Sequence, residues 1–260
     1  MPRFAANLTF LFTELPLTQR FAAARAAGFG AVELLFPYDT PARDIRAGLD
    51  NNGLDFALMN VPVPDWAAGG RGCAALPGAE ARFRAEFAQA LDLAEVLNPG
   101  RIHIMAGCAT GGRAQDTFLR NLDWAARQAP DRALTIEPIN PVDMPGYFLG
   151  DFDLAAQVLD AIGAPNLRLQ FDAYHAHSIT GDVPGAWTRH GARASHVQIA
   201  GFPGRHEPAG GQIDFDAFFA RLDRDGYAGF VSAEYIPAGD TVAGLGWLAR
   251  AQAVQQPTAP

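Results

Sequence analysis

The chain has 260 residues, 49% of them hydrophobic, and a formal net charge of −8. This length and apolar content predict one domain over residues 1–260, while the negative charge argues against a nucleic-acid partner, whose binding needs a positive surface. Apart from histidine, every basic residue is arginine. The absence of lysine excludes three enzyme classes that need its amine: Schiff-base aldolases, pyridoxal-phosphate enzymes and P-loop nucleotide-binding proteins.

Signals for membranes and disulfides are missing from the sequence. No apolar stretch reaches the length of a membrane span, and the first residues lack the pattern of a secretory signal. These features predict a cytoplasmic protein with no membrane partner. The two cysteines, Cys73 and Cys108, form neither a disulfide framework nor a metal-binding spacing, so we expect them to be structural or loop cysteines.

Short apolar segments typical of β-strands recur along the whole chain. The eight predicted strands are residues 4–12, 31–36, 55–61, 101–106, 134–139, 167–172, 195–199 and 230–235. Between them lie segments with apolar residues at the three- and four-residue spacing of helices. The clearest predicted helices are residues 17–27, 79–97, 117–128, 152–162 and 215–225.

The alternation of eight strands with helices predicts an α/β fold of the (β/α)8 barrel type. A doubly wound open sheet is the alternative, but no Gly-x-Gly-x-x-Gly motif opens a helix after a predicted strand. In a barrel, one face of each strand packs on the helices and the other face looks into the lumen. Because side chains alternate along a strand, the sequence assigns each strand residue to one of these faces.

Four strands in the second half of the chain each end in a polar residue on the lumen face. These residues are Glu137, Asp172, Gln198 and Glu234. Buried carboxylates are costly unless paired or metal-bound, and active sites of (β/α)8 barrels lie at the carboxyl ends of the strands. An all-oxygen set with three carboxylates suits a hard divalent cation, Mg²⁺ or Mn²⁺. The structural alternative is that single carboxylates pair with Arg168 or Arg193.

Further polar residues are predicted near the same end of the barrel. His175 follows Asp172 by three residues, and His103 lies in the fourth predicted strand. The glycine-rich loop of residues 201–211, after the seventh strand, carries Arg205 and His206. We favour a substrate carboxylate over phosphate as the ligand of Arg205, because only His206 offers a second cationic group. A plain surface loop is the alternative interpretation.

Several segments of this sequence resemble the hydroxypyruvate isomerase family, which belongs to the xylose isomerase-like TIM barrels. The segments are Ile136-Glu137-Pro138-Ile139-Asn140, Gln170-Phe171-Asp172-Ala173-Tyr174-His175, His196-Val197-Gln198-Ile199-Ala200, Gly204-Arg205-His206-Glu207-Pro208 and Glu234-Tyr235. The likeness extends in order from the first strand to Gly246-Trp247-Leu248. It covers nearly the whole chain.

The resemblance implies a divalent metal ion and an acid/base pair. The implied metal ligands are Glu137, Asp172, Gln198 and Glu234, and the implied acid/base pair is Glu137 and Glu234. Gln198 distinguishes the chain from sugar 3-epimerases, which usually place histidine at that ligand position. The more distant endonuclease IV relatives need further histidines for a multi-zinc site, and this chain lacks them at the matching positions.

These features predict an isomerase that interconverts hydroxypyruvate and 2-hydroxy-3-oxopropanoate through an enediolate. The predicted substrate-binding residues are His175, Arg205, His103 and His206. The alternatives are a 2-oxotetronate isomerase, a ketose 3-epimerase, a metal-dependent phosphodiesterase and a catalytically silent barrel that binds a sugar acid. The expected partner is a small hydroxy-oxo acid. Phe202, Trp66 and Trp247 are predicted to be exposed in a homo-oligomer interface or a lid, with local packing as the alternative.

Overall fold

In the computed structural model, which describes residues 2–253, eight parallel strands close into a barrel in sequence order, with the first strand pairing the last. The strands are β1 Arg3–Asn7, β2 Ala31–Glu33, β3 Asp55–Asn60, β4 Ile102–His103, β5 Leu134–Ile136, β6 Leu167–Asp172, β7 Ala194–Ile199 and β8 Phe230–Ala233. The predicted (β/α)8 barrel is confirmed. The open-sheet alternative is wrong, because the two edges of the sheet pair with each other.

Nine α-helices surround the strands within residues 2–253. They are α1 Leu17–Ala26, α2 Ala42–Asn52, α3 Glu80–Leu97, α4 Gly112–Gln128, α5 Phe152–Ile162, α6 Ala173–Thr180, α7 Val183–His190, α8 Phe215–Arg224 and α9 Gly246–Ala253. All five predicted helices are present. In this part of the chain, no helix combines the length and the apolar character that crossing a membrane requires.

Four observed helices, α2, α6, α7 and α9, lie outside the predicted ranges. Two of them, α6 and α7, are short and begin at aspartates. The side chain of Asp172 accepts hydrogen bonds from backbone amides in the first turn of α6. The side chain of Asp182 does the same for the amide of Gly185 in α7. Because eight residues give too few turns for a clear apolar period, capping rather than periodicity is the signal for these helices.

Strand β1 ends at Asn7, although the apolar pattern predicts a strand that continues to residue 12. The chain turns there, because the amides of Phe10 and Leu11 donate to the carbonyl oxygen of Asn7. The Asn7 side chain also accepts a hydrogen bond from the amide of Thr9. Leu11 and Phe12 are nevertheless fully buried. The apolar run therefore marks burial in the core rather than strand conformation.

The main apolar core lies between the outer face of the strands and the helices. Phe171 of β6 shows the packing: its ring centroid lies 5.2 Å from Trp187 of α7 and 5.2 Å from Phe152 of α5. Trp247 is only 3% exposed and packs 5.5 Å from Phe4 of β1. The prediction that Trp247 is exposed is therefore wrong, because α9 closes the core beside the first strand.

The charged residues differ between the two ends of the barrel, with arginines at the amino end and carboxylates at the carboxyl end. Arg3, Arg101 and Arg168 lie at or next to the amino ends of β1, β4 and β6. Above them on β1, β2 and β3, a small apolar cluster is formed by Ala5, Ala31 and Ala57. Carboxylates occupy the carboxyl ends of the later strands, where the strand-to-helix loops begin.

Candidate active site

Four consecutive strands bring the four predicted metal ligands to the carboxyl end of the barrel. Glu137 directly follows β5, Asp172 ends β6, Gln198 lies one residue before the end of β7, and Glu234 directly follows β8. Asp172 and Gln198 are register partners across β6 and β7. All four side chains are buried. The orientation that side-chain alternation predicts for these four residues therefore agrees with the structure.

Asp172 divides its two carboxylate oxygens between the fold and the site. Oδ1 accepts hydrogen bonds from the backbone amides of Tyr174 at 2.7 Å and His175 at 3.4 Å, and so caps α6. Oδ2 is buried and accepts no hydrogen bond from any residue that the structure describes. One oxygen is used by the helix, and the other remains free to bind a ligand.

The two carboxylate oxygens of Glu137 are divided in the same way. Its Oε2 accepts a hydrogen bond from Nε2 of Gln170 at 3.0 Å, while its buried Oε1 accepts none within residues 2–253. Glu137, Asp172 and His175 each contribute one potential ligand atom to a group whose atoms lie within 4.8 Å of one another. A buried polar atom without a partner costs about 1–3 kcal/mol, so these two oxygens indicate a site that binds a cation or a proton.

Burial raises the pKa values of the three carboxylates at this end of the barrel. The pKa of Glu137 lies well above its ordinary value through burial first and then through the charges of Glu234 and Asp172, with Arg205 acting in the opposite direction. Burial likewise raises the pKa of Glu234, against the effect of Arg205. The pKa of Asp172 is raised by burial and lowered less strongly by Arg205. The site therefore favours protons or a divalent cation that offsets its negative charge.

The guanidinium of Arg205 lies among these carboxylates. Its Nη2 is 3.2 Å from Oε1 of Glu234 and 3.7 Å from Oδ2 of Asp172, and its Nη1 is 3.9 Å from Oδ2 of Asp143. Burial on its own would lower the pKa of Arg205, but the surrounding carboxylates, Glu234 first, raise it. Arg205 is therefore a permanent cation at the edge of the site.

The loop after β7 holds Arg205 in an unusual backbone conformation. Arg205 has a φ angle of 56°, next to Gly204 with a φ angle of 95°. A side chain at position Gly201 would collide with the carbonyl oxygen of Glu207, so the loop can close only with glycine there. A left-handed conformation costs a residue such as arginine on the order of 1–3 kcal/mol, and such strain is typical of functional positions.

Asn140 fixes the tautomer of His175. Its Oδ1 accepts hydrogen bonds from the backbone amides of Val142 and Asp143, so its Nδ2 faces Nδ1 of His175 at 2.7 Å. Burial keeps the pKa of His175 well below its ordinary value, so the ring is neutral and carries its proton on Nε2. Nε2 lies 3.8 Å from Oδ2 of Asp172. His175 is therefore a hydrogen-bond donor toward the site rather than a metal ligand through Nε2.

The structure places the two remaining predicted histidines differently. His103 is buried, with Nδ1 3.2 Å from Oδ1 of Asn60 and Nε2 3.7 Å from Oε2 of Glu137. Burial lowers the pKa of His103 to about 3, so the ring is neutral. His206 is exposed, and its Nδ1 lies 2.8 Å from the carbonyl oxygen of Ile236. His103 thus lies inside the site, whereas His206 lies at its rim.

A small cavity of about 70 Å³ lies in front of these groups. Its polar wall includes Glu137, Glu234, His103, His175 and Arg205. Its apolar wall includes Phe10, Leu35, Trp66, Met105, Ile139 and Met144. An enclosed wall of apolar side chains with a few converging polar groups is typical of a site for a small molecule.

A larger cavity of about 700 Å³ opens at the amino end of the barrel. Its charged lining consists of Arg3, Arg101 and Arg221 together with Asp225, a carboxylate that already accepts hydrogen bonds from Arg221 and Trp187. None of the predicted site residues lines it. We place the candidate active site at the smaller cavity, because buried carboxylates with unpartnered oxygens converge there.

Two supporting residues are missing from the sequence prediction of the site. Gln170 donates from Nε2 to Glu137 and to Oε1 of Gln198, at 3.0 and 2.7 Å. Its place on the lumen face of β6, two residues before Asp172, is a signal that identifies it. Asn140 lies in a loop after β5, and no pattern in the sequence shows that it contacts His175.

The alternative partners that the sequence offered for the carboxylates are wrong. Arg168 donates hydrogen bonds to the backbone carbonyl oxygens of Ala192 and Arg193 at the amino end of the barrel. The side chain of Arg193 pairs with Asp160 on the surface at 2.6 Å. Neither arginine neutralises a candidate ligand, because Arg168 lies near the amino end of β6 and Arg193 directly precedes β7.

The donor set fits a hard divalent cation. Three buried carboxylates and the amide of Gln198 offer only oxygen ligands, which Mg²⁺ and Mn²⁺ prefer. The unpartnered oxygens of Glu137 and Asp172 lack the donors that would otherwise compensate for their burial. The chemistry of these oxygens is thus compatible with a divalent cation, with Arg205, His103 and His175 beside them.

Comparisons with known proteins agree with this architecture. A sequence model of the family described as xylose isomerase-like TIM barrel matches residues 21–251, which include every candidate ligand. The chain is 49% identical over 254 residues to 2-oxo-tetronate isomerase from Cupriavidus necator, covering 95% of this chain and 98% of the relative. With the same coverage, it is 38% identical to hydroxypyruvate isomerase from Escherichia coli.

A solved structure extends the likeness to three dimensions. An AP endonuclease, family 2, from Brucella melitensis superposes on the chain with a TM-score of 0.93 at 41% sequence identity. The superposition covers 96% of this chain and 99% of that one. The similarity therefore extends over the whole barrel, including the carboxyl end where the candidate ligands lie.

Proposed function

The chain belongs to the hydroxypyruvate isomerase family of xylose isomerase-like TIM barrels and is an isomerase; from this premise we propose that it isomerises a short 2-oxo hydroxy acid with the help of a divalent metal ion. One observation carries the proposal. Two buried glutamates with raised pKa values, Glu137 and Glu234, line the same small cavity as the Arg205 guanidinium.

The proposed reaction exchanges a carbonyl group and a hydroxyl group between C2 and C3 of the substrate. One glutamate removes the proton from C3, which gives an enediolate, and a glutamate returns a proton to C2 while the hydroxyl proton passes from O3 to O2. Glu137 and Glu234 are the proposed acid/base pair. Their raised pKa values make them stronger bases than a carboxylate in water.

The proposed metal ligands are the four residues at the ends of β5 to β8. Glu137, Asp172, Gln198 and Glu234 would hold the cation, which supplies Lewis-acid stabilisation of the negative charge that develops on the substrate oxygens. Contact with a cation weakens a glutamate as a base. The burial of Glu137 and Glu234 acts in the opposite direction and helps them to retain basicity.

The other polar residues of the cavity position the substrate. Arg205 is proposed to bind the substrate carboxylate, because its planar fork is the cation on the wall of the cavity. His175 is proposed to donate its Nε2 proton to a substrate oxygen. His103 lines the same cavity, with its Nε2 3.7 Å from Oε2 of Glu137. His206 supports the Arg205 loop from the rim through the carbonyl oxygen of Ile236.

The number of carbon atoms in the substrate is the finer part of the proposal. The sequence predicts hydroxypyruvate, with three carbons, and the relatives include proteins named for a three-carbon and for a four-carbon acid. We favour 2-oxo-tetronate as the better substrate, because the relative at 49% identity carries that name, against 38% for the hydroxypyruvate isomerase. The exchange between C2 and C3 is the same for both acids.

The name of the structural relative from Brucella melitensis makes cleavage of abasic DNA the second candidate function. Two observations favour the sugar acid. The net charge of −8 opposes binding to a polyanion, and a cavity of about 70 Å³ is small for a nucleotide displaced from a duplex.

The test is proton NMR of the purified protein in D₂O with hydroxypyruvate and, separately, with 2-oxo-tetronate. Each acid is incubated with added Mn²⁺ or Mg²⁺ and with EDTA, and an abasic DNA duplex is assayed in parallel. We expect metal-dependent isomerisation with deuterium entering at C2 or C3, and faster turnover of the four-carbon acid.

Each other outcome has a definite meaning. Faster turnover of hydroxypyruvate would reverse the choice of carbon number and leave the chemistry intact. Exchange that is unchanged by EDTA would contradict the metal site. A folded, metal-bound protein that exchanges no proton on either acid would contradict the isomerisation, and cleavage of the duplex would replace it with the second candidate function.

A further inference from the structure

A fourth carboxylate lies in the lumen, on the side of Gln198 away from Gln170. Glu33, the last residue of β2, is 0% exposed and belongs to the half of the barrel that supplies none of the candidate ligands. Its Oε1 accepts hydrogen bonds from Nδ2 of Asn7 and Nε2 of Gln198, both at 2.8 Å, and its Oε2 lies 2.9 Å from Nε2 of His196. Both oxygens of this buried carboxylate are therefore occupied by partners.

The chemistry of Glu33 dictates which way the Gln198 amide points. Nε2 of Gln198 donates a hydrogen bond to Oε1 of Glu33 at 2.8 Å, so the NH₂ group of Gln198 faces Glu33. Its Oε1 then faces the other side, where it accepts a hydrogen bond from Nε2 of Gln170 at 2.7 Å. Because the same Nε2 donates to Glu137, the oxygen of Gln198 lies on the side of Glu137, while the side chain of Gln198 also hydrogen-bonds Glu234.

Asn7 is oriented by the same logic. Its Oδ1 accepts a hydrogen bond from the backbone amide of Thr9 at 2.9 Å, so its NH₂ group faces Glu33. Neither amide can rotate by 180° without placing an oxygen against the carboxylate of Glu33. Glu33 thus acts as a buried acceptor that removes the ambiguity of the amides around it.

We propose that Glu33 is a positioning residue of the metal site: it holds the Gln198 amide with its oxygen toward the cation. The inference rests on the proposed function, because it assumes that Gln198 is a ligand. Outer carboxylates that orient ligands typically change metal affinity by about 10–100-fold when they are replaced. Glu33 does not line the small cavity, and on this proposal it acts on the metal site through Gln198.

A general electrostatic effect of the Glu33 charge is the competing explanation. Two substitutions distinguish this charge effect from the positioning of Gln198. Glu33→Gln removes the charge and can present either an oxygen or an NH₂ group to Gln198, so the orientation is lost. Glu33→Asp keeps the charge and withdraws the carboxylate from Gln198 by one methylene group. Positioning predicts weaker metal binding for both variants, whereas a general charge effect predicts it for Glu33→Gln alone.

The experiment is titration of each metal-free protein with Mn²⁺, followed by calorimetry, with thermal melting to verify folding. Glu86→Gln is the matched control, because Glu86 is also a buried glutamate but bonds to Cys73 and Arg82 outside the lumen. Glu137→Gln is the reference for loss of a ligand. We expect the dissociation constant for Mn²⁺ to rise about 10–100-fold in Glu33→Gln and at least several-fold in Glu33→Asp, with wild-type affinity in Glu86→Gln.

The outcomes distinguish this inference from the proposed function. Wild-type affinity in Glu33→Asp together with weak binding in Glu33→Gln overturns positioning in favour of charge, and wild-type affinity in both overturns it outright. If Glu33→Gln fails to fold, Glu33→Asp decides alone. Undiminished Mn²⁺ binding in Glu137→Gln, or no binding by the wild type, overturns the metal site of the proposed function itself.

Discussion

The two ends of the barrel lumen use polar residues in opposite ways. At the amino end, the guanidinium groups of Arg3, Arg101 and Arg168 donate hydrogen bonds to backbone carbonyl oxygens of the loops. At the carboxyl end, oxygens of Glu137 and Asp172 are buried without a donor among the residues described. The arginines at the amino end have hydrogen-bond partners within the protein, whereas these two carboxylate oxygens at the carboxyl end have none among the residues described. Partner satisfaction, more than cavity size, therefore places the candidate site at the carboxyl end.

Cavity volume alone would assign the candidate site to the amino end of the barrel. The cavity at the amino end is about 700 Å³ and the one at the carboxyl end about 70 Å³. The larger one is lined by Arg3, Arg101 and Arg221, each of which already donates a hydrogen bond within the protein. Variants at the two ends can test which cavity is functional.

Substitution of the paired glutamates is expected to have the largest effect. Glu137→Gln or Glu234→Gln removes a proton-transferring group, so kcat for the 2-oxo acid should fall by about 10³-fold or more. Circular dichroism should show a folded protein, because an amide of the same shape suits the buried position better than an unpaired carboxylate. Near-normal turnover in either variant would contradict the acid/base assignment.

Replacement of Arg205 is expected to act on substrate binding. Arg205→Ala removes the cation proposed to hold the substrate carboxylate, so KM should rise by about 10–100-fold, with a smaller change in kcat. Arg205→Lys should recover part of the loss, since a lysine supplies the charge but not the planar fork. Steady-state kinetics measure both values. An unchanged KM in Arg205→Ala would assign the substrate carboxylate to another residue.

The raised pKa values at the carboxyl end predict how metal binding depends on pH. In the metal-free protein, Glu137 and Glu234 are more easily protonated than in the unfolded chain, so their contribution to stability is present below their ordinary pKa of 4.5 and is lost as pH rises through the raised values. A divalent cation favours the ionised forms. Calorimetry with Mn²⁺ or EDTA should therefore show a metal-induced gain in Tm that is larger at about pH 8 than at about pH 5.

The smallest effect on activity is expected at the amino end. Arg101→Gln removes donors to the carbonyl oxygen of Gly100 and to Oγ of Ser195, which should lower the free energy of unfolding by about 1–2 kcal/mol. The values of kcat and KM should stay within about twofold of wild type, because this residue is remote from the proton-transferring groups. Denaturant unfolding and kinetics test the two statements, and a large loss of turnover would show that the two ends are coupled.

Much of the architecture follows from patterns that are local in the sequence. The alternation of apolar and polar residues identified all eight strands and directed Glu137, Asp172 and Glu234 into the lumen. The alternation failed at the end of β1, which it extended beyond Asn7. Side-chain and backbone hydrogen bonds form a turn there, while the following apolar residues stay buried. It also missed α6, whose start is set by the cap at Asp172.

The supporting contacts of the site could not be predicted, because they join residues far apart in the chain. Glu33 and Gln198 are separated by 165 positions and meet only when the barrel closes. The contact between Asn140 and His175 joins the loop after β5 to helix α6, and no periodic pattern in the sequence predicts it. The cytoplasmic location and the oligomeric state stay predictions, since they depend on partners and surroundings rather than on the fold.

The apolar wall of the small cavity also gives the site an optical signal. Trp66 lines that cavity, with its ring 5.1 Å from Phe36 and the guanidinium of Arg71 4.3 Å above it. The chain has three other tryptophans, in α4, α7 and α9, and none of them lines this cavity. We therefore expect occupancy of the cavity to change the surroundings of one indole among four, so that a change in intrinsic emission would report binding without an added label.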